Sequence, residues 1–322
     1  MGLENALQLL WGIVRLFDSP SVSIYWPYLL SASAIATVTY VVRSRRLAGA
    51  LAYVFAPRVW AHRSVRHDLA LFVINTLLYS LLFAVPLQAL STTVSSFAWQ
   101  MLVDAFGPLA FPLHGPALAV IATLAVFVMA DFAFFVSHVA LHKLPVLWAF
   151  HKVHHSAPVL VPFTVFRRHP VDILFDGCVS GVVLGGTFGL LAYLGGAVPN
   201  AYAIAGVNAL LFVCLVIGFN LQHSHVPLSF GPLDAVLICP AAHQIHHSDA
   251  PRHVDRNFGN MLSIWDRLLG TYVSPRDRVG VRFGCEGAHT HDSVLALYVR
   301  PFIDAVRRRN GNAGGGPGTT RT

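Results

Sequence analysis

Five apolar stretches, each close to 20 residues long, constrain the fold of this chain more than any other sequence feature. They run over residues 24–42, 69–90, 117–136, 173–197 and 201–219. Each approaches the roughly 20 residues that an α-helix needs to cross a hydrocarbon core about 30 Å thick. Charged residues make up only 11% of the 322 residues, against about 25% in soluble domains. The sequence therefore predicts an all-α integral membrane protein with four to five transmembrane helices.

Two of these stretches carry polar residues inside the apolar run. Asn75 lies in the second, and Asp176, accompanied by several glycines, lies in the fourth. Polar groups are costly in hydrocarbon, so both helices are predicted to pack against protein. Only residues 198–200 join the fourth and fifth stretches, which predicts a tight helical hairpin. Residues 2–16 are predicted to form a short interfacial helix and lack the pattern of a cleaved signal peptide.

The basic residues predict the orientation in the membrane. All 22 Lys and Arg residues except Arg15 fall within residues 43–68, 138–172 and 220–322. The positive-inside rule places these three segments in the cytoplasm and the N-terminus on the opposite side. The net charge of +7 then reflects this topology and the attraction of anionic headgroups. No nucleic-acid motif accompanies the basic residues, so the lipid bilayer is the predicted partner and nucleic acid is not.

Histidine is the second unusual feature, with 17 in the chain. Eight of them form three groups with the spacing of metal ligands: His138-x-x-x-His142, His151-x-x-His154-His155 and His243-x-x-His246-His247. Residues three or four apart share one face of a helix, so the histidines of each group can point at a common centre. Three such groups beside membrane-spanning stretches predict a metal centre. Five of the other histidines, namely His62, His67, His114, His289 and His291, are predicted to have surface roles.

Eight ring nitrogens exceed the needs of one ion, since zinc takes about three or four protein ligands. Two ions that share eight or more histidines are therefore predicted. Imidazole binds iron, copper, nickel and zinc alike, so the ligand type leaves the metal open. The four cysteines form no close pair, which argues against a disulfide framework or a cysteine-type zinc site. Asp131, Asp249 and Asp266 are candidates for supporting the ligands from outside, Asp131 by a hydrogen bond to a ligand ring.

The histidine groups and their surroundings resemble the fatty acid hydroxylase/sterol desaturase superfamily. Residues 131–138 (DFAFFVSH) are similar to the approach to the first histidine box of that family. Residues 166–170 (FRRHP) resemble the stretch after its second box, and residues 222–224 (QHS) its single-histidine element. Residues 257–272 (NFGNMLSIWDRLLGTY) resemble its C-terminal signature. The resemblance covers about residues 115–275.

This resemblance implies a helical membrane fold with a cytosolic cap that houses two non-haem iron ions. It implies that O2 and two electrons are used to hydroxylate or desaturate an unactivated C–H bond of a lipid. The implied metal ligands, of which all but His223 are also expected to be catalytic, are His138, His142, His151, His154, His155, His223, His243, His246 and His247. His169 and His225 stay open as further ligands.

Four functions are compatible with these patterns to different degrees. A lipid hydroxylase is preferred, and a desaturase on the same di-iron site is the nearest alternative. A zinc-dependent membrane hydrolase or a metal-binding protein without redox chemistry comes next. A transporter is disfavoured because the histidines lie at the ends of the spans rather than near mid-membrane. The lipid is left open among sterols, carotenoids, fatty acyl chains and related lipids, and so is the oligomeric state.

The sequence also predicts partners, location and domain limits. No ferredoxin, flavin or cytochrome b5 segment is apparent, so electrons are expected from a separate ferredoxin or cytochrome b5-type donor with its reductase. The expected location is a bacterial inner membrane, with the active site facing the cytoplasm. The predicted regions are an N-terminal membrane region (1–110), a fatty acid hydroxylase-like catalytic domain (111–275), a cytosolic segment (276–309) and a disordered tail (310–322).

Overall fold

The structure, a computed structural model, describes residues 11–197, 199–277 and 280–309. These residues are mostly helical, with one two-stranded hairpin. The α-helices are α1 (Trp26–Ser44), α2 (Ala50–Val54), α3 (Pro57–Trp60), α4 (Arg63–Leu78), α5 (Ala84–Phe106), α6 (Gly115–Lys143), α7 (Pro145–His155), α8 (Pro170–Gly195), α9 (Ala209–Val216), α10 (Pro240–His246), α11 (Ile264–Leu269) and α12 (Val294–Arg309). The hairpin pairs β1 (Ala203–Ile204) with β2 (Val207–Asn208) in antiparallel register.

Short 3-10 turns connect these helices, at Leu16–Asp18, Pro162–Phe166, Phe219–His223, Gly231–Ala235, Pro251–His253, Pro275–Asp277 and Ala288–Thr290. Most of the predicted interfacial helix over residues 2–16 lies outside the described residues, as does the tail 310–322 that was predicted to be disordered. The domain limits stay a prediction.

Three helical runs are long and apolar enough to cross a membrane: Arg63–Phe106, Gly115–Lys143 and Pro170–Gly195. They correspond to the second, third and fourth apolar stretches of the sequence. The first stretch forms α1, a 19-residue helix. The prediction of an all-α membrane protein is therefore confirmed.

The fifth predicted spanning helix, over residues 201–219, is wrong as a continuous helix. The hairpin occupies its first part, and α9 has only eight residues, or about 12 Å at 1.5 Å per residue. Positive φ angles at Ala205 (51°) and Gly206 (81°) form the turn of the hairpin, and Gly218 (φ 111°) ends the segment. Hydropathy registers an apolar segment but carries no information on such turns. Because residues 201–219 form no continuous helix, the described residues on either side of position 198 do not form the predicted helical hairpin.

The run Arg63–Phe106 is one helix of 44 residues, about 66 Å long and roughly twice the thickness of the hydrocarbon core. A π turn, Tyr79–Phe83, interrupts it. Pro86 follows three residues later, and its ring clashes with the carbonyl of the residue four positions earlier in regular α-helix. The wider π turn relieves that clash and lets the helix continue as α5.

Helices α5 and α8 pack through glycine. The face of α8 toward α5 has a glycine at every fourth position: Gly177, Gly181, Gly185 and Gly189. A Cβ atom on Gly185 would lie 2.6 Å from the carbonyl oxygen of Ser91, and one on Gly189 would lie 2.5 Å from that of Ser95. Only glycine permits such a close approach of two backbones, as is common between membrane helices.

The polar residues of the spanning helices point toward the histidine end of the molecule. The amide nitrogen of Asn75 donates to the carbonyls of Phe166 (3.1 Å) and Arg168 (2.8 Å). The carboxylate of Asp176 accepts from the Ser137 hydroxyl (2.5 Å) and from the Arg168 guanidinium (3.0 Å). The prediction that both helices pack against protein is confirmed, because these polar groups satisfy each other away from lipid.

Candidate metal centre

The nine histidines predicted as ligands lie together at one end of the helices and form two groups. The five-histidine group contains His138, His142, His151, His155 and His246. The four-histidine group contains His154, His223, His243 and His247. Within each group, one ring nitrogen from every member lies within 4.8 Å of all the others. Each group could therefore hold a metal ion.

Helical spacing decides which histidines share a group. In α7, His151 and His155 are four residues apart and join the five-histidine group, whereas His154 faces the other group. In α10 and the residue after it, His243 and His247 stay together, whereas His246 faces across. The expectation that all histidines of one box point at a common centre is therefore wrong for the boxes 151–155 and 243–247. Each of these two boxes contributes to both groups. The rings of His155 and His247 stack between the groups, with centroids 4.6 Å apart.

Four members of the five-histidine group have an oxygen atom beside their outer Nδ1 atom, and three of these contacts are hydrogen bonds. The Nδ1 atom of His138 lies 2.7 Å from the Phe258 carbonyl oxygen, and that of His246 lies 2.8 Å from the Arg256 carbonyl oxygen. These contacts identify Nδ1 as the protonated nitrogen, so Nε2 keeps its lone pair for the centre of the group.

Carboxylates take the same position behind the other two rings. The Nδ1 atom of His151 lies 2.9 Å from Asp172 Oδ2, and that of His142 lies 3.4 Å from Asp255 Oδ1. Asp172 is completely buried, and its other oxygen accepts from the Arg168 guanidinium. Asp255 is held by Lys143, whose Nζ lies 2.6 Å from the second carboxylate oxygen.

Residues 255–258, called the ligand-holding segment below, carry three of these four acceptors. Asp255 and Asn257 adopt left-handed backbone conformations, with φ angles of 58° and 54°. The Asn257 side chain is well suited to this conformation and donates to the carbonyls of Ala242 (2.9 Å) and Val273 (3.0 Å). The next amide, that of Phe258, donates to the buried Asp266 carboxylate (2.9 Å). Hydrogen bonds of Asn257 and of the Phe258 amide thus hold the segment in place.

The four-histidine group has tighter internal geometry. The Nε2 atom of His223 lies 3.2 Å from the Nε2 atoms of His154, His243 and His247, and the last two are 3.1 Å apart. Such a spacing is the edge of a tetrahedron whose corners lie about 2 Å from its centre, the usual metal–imidazole distance.

Burial keeps these rings neutral. Eight of the nine histidines are at most 6% exposed, and His223 is partly buried. Burial, followed by the charge of the neighbouring imidazoles, holds the pKa of His154, His155 and His247 well below its ordinary value of 6.5. Burial lowers the pKa of His223 and of His246 to about 3. Neutral imidazole is the form that binds a metal.

The ring nitrogens at the centre of the five-histidine group are available to bind a metal. The Nε2 atoms of His142, His151, His155 and His246 are buried and have no hydrogen-bond partner among the described residues. An unpaired buried polar atom costs about 1–3 kcal/mol, and four together are unusual in a native protein. A metal ion satisfies all of them, so the donor set fits the metal centre that the sequence predicts.

A cavity of about 180 Å³ opens onto both groups. His138 and His151 of the five-histidine group contribute to its wall, together with His154, His223 and His243 of the four-histidine group. The remaining wall is largely apolar. A molecule in this cavity would lie beside histidines of both groups.

Several sequence-based expectations about nearby residues need correction. Asp131 does not reach a histidine: its carboxylate accepts from the backbone amides of Met261 (2.8 Å) and Leu262 (3.1 Å). The neighbouring Phe258 carbonyl serves His138 instead. Asp266 supports the site by fixing the ligand-holding segment. Asp249 pairs with the exposed Arg282 (2.6 Å) and touches no ligand.

The two histidines left open lie outside both groups. His169 caps α8 by accepting from the Val171 amide (3.1 Å), and its other nitrogen contacts the Tyr298 carbonyl. The Nε2 atom of His225 contacts the Tyr53 carbonyl (2.7 Å). His291, predicted to lie at the surface, is only 2% exposed.

Sequence reasoning missed the acceptors behind the ligands. Asp172 and Asp255 are ordinary acidic residues in the sequence, and two further acceptors are backbone carbonyls, which any residue supplies. One usable signal was the position of Asp172 in the FRRHP–VD run, four residues after Arg168. Arginine and aspartate at that spacing on a helix form a pair, which here positions the carboxylate behind His151.

Comparison with known proteins identifies relatives over the region that contains the site. Residues 123–271 match the family model described as Fatty acid hydroxylase. Ornithine lipid hydroxylase OlsE of Rhizobium tropici is 32% identical over 181 residues, which are 56% of this chain and 50% of that protein. Alkylglycerol monooxygenase of Danio rerio is 29% identical over 153 residues, 48% of this chain and 31% of that protein.

A third relative, the Delta(7)-sterol 5(6)-desaturase of Candida glabrata, is 26% identical over 200 residues, 60% of this chain and 48% of that protein. The chain thus covers half or less of the length of these relatives. No solved structure matches the chain.

Proposed function

We propose that this chain, which matches the Fatty acid hydroxylase family model over residues 123–271 and is similar to a lipid hydroxylase and a sterol desaturase, is a membrane-bound di-iron oxygenase that hydroxylates an unactivated C–H bond of a lipid. The observation that carries this proposal is the convergence of nine histidines into two adjacent groups beside one largely apolar cavity. The proposed ligands are the five members of one group and the four members of the other.

Iron is proposed because of the names of the relatives and the imidazole ligands that the two groups offer. Two of the relatives are named a hydroxylase and a monooxygenase, and both names denote oxidative chemistry. Iron is one of the metals that imidazole binds well. Two iron ions in these groups, with O2 and two electrons, would supply the oxidising power that a C–H bond demands and that no amino-acid side chain provides.

The protein residues hold the histidines, keep them neutral and exclude water. The carboxylates and carbonyls behind the five-histidine group fix the direction of each ring. The apolar cavity wall, which includes Phe134, Leu141 and Phe219, favours a hydrocarbon chain over water. The guanidinium of Arg168 also faces this cavity and stays in place through Asp172 and Asp176.

A second, almost wholly apolar cavity of about 390 Å³ provides a route for the lipid. It lies between α1 and the loop after α7, and its wall includes Leu29, Ala36, Val161 and Leu221. Pro162 lines both this cavity and the one at the histidines, so the two cavities adjoin the same residue. We propose that the hydrocarbon part of the substrate approaches from the bilayer through this cavity.

Desaturation is the second candidate, and the sterol desaturase relative favours it. Both reactions begin with removal of a hydrogen atom from the same kind of carbon, and the histidine geometry suits either. Comparative lipid mass spectrometry separates them. Cells with the protein should contain a lipid that gains the mass of one oxygen atom for a hydroxylase, or loses that of two hydrogen atoms for a desaturase.

A His154→Ala variant tests the site. It removes one proposed ligand of the four-histidine group and should abolish the lipid product while the protein still accumulates in the membrane. Metal analysis of the detergent-purified wild-type protein should find two iron ions per chain. One zinc ion per group after expression in iron-rich medium, with no lipid product, would contradict the proposal and favour a hydrolase.

We further propose that electrons come from a separate, acidic donor of the ferredoxin or cytochrome b5 type, which docks on the cytoplasmic face of a bacterial inner membrane. Arg252 is exposed, and Arg256, whose carbonyl contacts His246, is half-buried on the ligand-holding segment. Attraction between unlike charges accelerates docking and weakens with salt. Arg252→Glu and Arg256→Glu should therefore slow reduction, most strongly at low ionic strength. An unchanged rate at every salt concentration would remove this docking site.

A further inference from the structure

The two histidine groups differ in the residues behind their rings, and this difference bears on how firmly each holds a metal. We infer that the five-histidine group binds its ion much more tightly than the four-histidine group, and that Asp172 and Asp255 are positioning residues for the tight site alone. This inference rests on the proposed function only in taking the two groups as the two metal sites.

The number and support of the ligands favour the five-histidine group. It has one more imidazole, and three of its five rings make a hydrogen bond to an oxygen acceptor through the outer nitrogen, while the outer nitrogen of His142 lies 3.4 Å from Asp255 Oδ1. Such acceptors fix the tautomer, aim the ring and make the ligand nitrogen more basic. Removing one of them typically lowers metal affinity by about 10–100-fold.

The acceptors are themselves fixed. Asp172 is buried and paired with Arg168, and Asp255 is paired with Lys143. The carbonyls of Arg256 and Phe258 belong to the ligand-holding segment, which Asn257 and Asp266 hold from either side. The rings of this group therefore lose little freedom when an ion binds.

Two of the four rings in the four-histidine group lack such support. The Nδ1 atoms of His154 and His243 are buried, yet neither has a hydrogen-bond partner among the described residues. Three of its four members line the cavity, against two of five in the other group. The ligands of this group are therefore more accessible from the cavity than those of the five-histidine group. This group is therefore assigned as the more exchangeable site.

Stepwise chelation of the purified full-length protein tests this assignment. Protein loaded anaerobically with Fe²⁺ is equilibrated with increasing concentrations of a chelator, and the iron that stays bound is measured. The expected release has two steps of one ion each, separated by at least about 10-fold in chelator concentration. His243→Ala should remove the easily released ion and leave the tightly held one.

Asp172→Asn and Asp255→Asn should move only the tight step. In Asp172→Asn, Arg168 retains the amide oxygen, so the amide NH2 would face the Nδ1–H of His151 and push the ring out of line. The expected shift is about 10–100-fold toward easier release, with the first step unchanged. Asp249→Asn is the matched control, since this carboxylate lies near the site and touches no ligand; it should move neither step.

Release of both ions in one step from the wild type would overturn the inference, as would a first step that shifts with Asp172→Asn or Asp255→Asn. The two aspartates lie on different elements, so a folding failure of one variant leaves the other decisive. A protein that binds no iron at all contradicts the proposed function. Stepwise iron release without any lipid product contradicts the oxygenase reaction but supports the unequal sites.

Discussion

The α5–α8 interface and the histidine end of this molecule are both buried, yet they are built in opposite ways. At the interface, glycines on α8 let two backbones approach so closely that a methyl group would clash. At the histidine end, side chains are large and polar, and their positions depend on hydrogen bonds to residues far away in the sequence. His138, for example, contacts the carbonyl of Phe258, 120 positions later.

The difference follows from the solvent around each region. In the bilayer, apolar side chains gain little by moving from lipid into protein, so close van der Waals packing stabilises helix pairs. Around the histidines, each buried polar atom requires a partner, because an unpaired one is costly. The bundle should therefore respond to changes in volume, and the histidine end to changes in hydrogen bonding or metal content.

Complete metal removal should have the largest effect and should separate the two regions most sharply. Chelation of both ions from the purified protein is expected to abolish formation of the oxidised lipid, because every proposed ligand lies at the histidine end. Far-ultraviolet circular dichroism should keep the helical signal of the spanning helices, which contact no proposed ion except at the end of α6. Re-addition of Fe²⁺ should restore product, and Zn²⁺ should not. Loss of the helical signal together with the metal would show that the two regions are not independent.

Asn257→Ala should have the next largest effect, confined to the histidine end. The change removes three side-chain hydrogen bonds, worth about 3 kcal/mol together. It also places alanine at a φ of 54°, which costs about 1–2 kcal/mol more. We expect thermal unfolding in detergent to begin at a lower temperature, with easier iron release.

Asn257→Gly is the matched control, since it loses the same hydrogen bonds without the backbone strain. It should lie between the wild type and Asn257→Ala. Equal stability of the alanine and glycine variants would show that the left-handed backbone contributes nothing.

Gly185→Ala should destabilise the bundle by a smaller amount. The added methyl group would meet the Ser91 carbonyl at 2.6 Å and the Val94 Cβ at 2.9 Å, an overpacking that costs about 1–3 kcal/mol. Denaturation of the detergent-solubilised protein should show this loss, while the number of bound iron ions stays the same. A changed metal content in this variant would mean that packing in the bundle is transmitted to the histidines.

Gly186→Ala, one residue further along, should give the smallest effect and the opposite sign. A Cβ atom there meets nothing within 4 Å, and alanine favours helix over glycine by up to about 1 kcal/mol. Its stability should equal or slightly exceed that of the wild type. If both alanine variants lose stability alike, close packing at Gly185 is not the cause.

Much of this architecture follows from local patterns. The length of the apolar stretches predicted the spanning helices because a membrane sets the length of a helix. The histidine spacing predicted which histidines lie together, because three and four residues make about one helical turn. That same periodicity, applied only within each box, could not assign His154 and His246 to different groups from their neighbours. The assignment depends on how α6, α7 and α10 are placed around one another.

Other features were beyond the reach of local patterns. The hairpin within residues 201–219 is as apolar as a spanning helix, and only contacts with the rest of the protein distinguish the two. The acceptors behind the ligands include two backbone carbonyls, which carry no side-chain signal. Asp131 was assigned to a ligand because of its helical position, yet it faces the amides that follow Asn260.

By itself, the sequence determined that the helices are apolar enough for a membrane and that the histidines have the spacing of metal ligands, because hydrophobicity and imidazole spacing are properties of short segments. The tertiary structure decided how nine histidines divide into five and four, and which oxygen atoms orient them. That division depends on contacts between residues up to about 120 positions apart. Such contacts are set by the packing of whole helices, which no single stretch of sequence encodes.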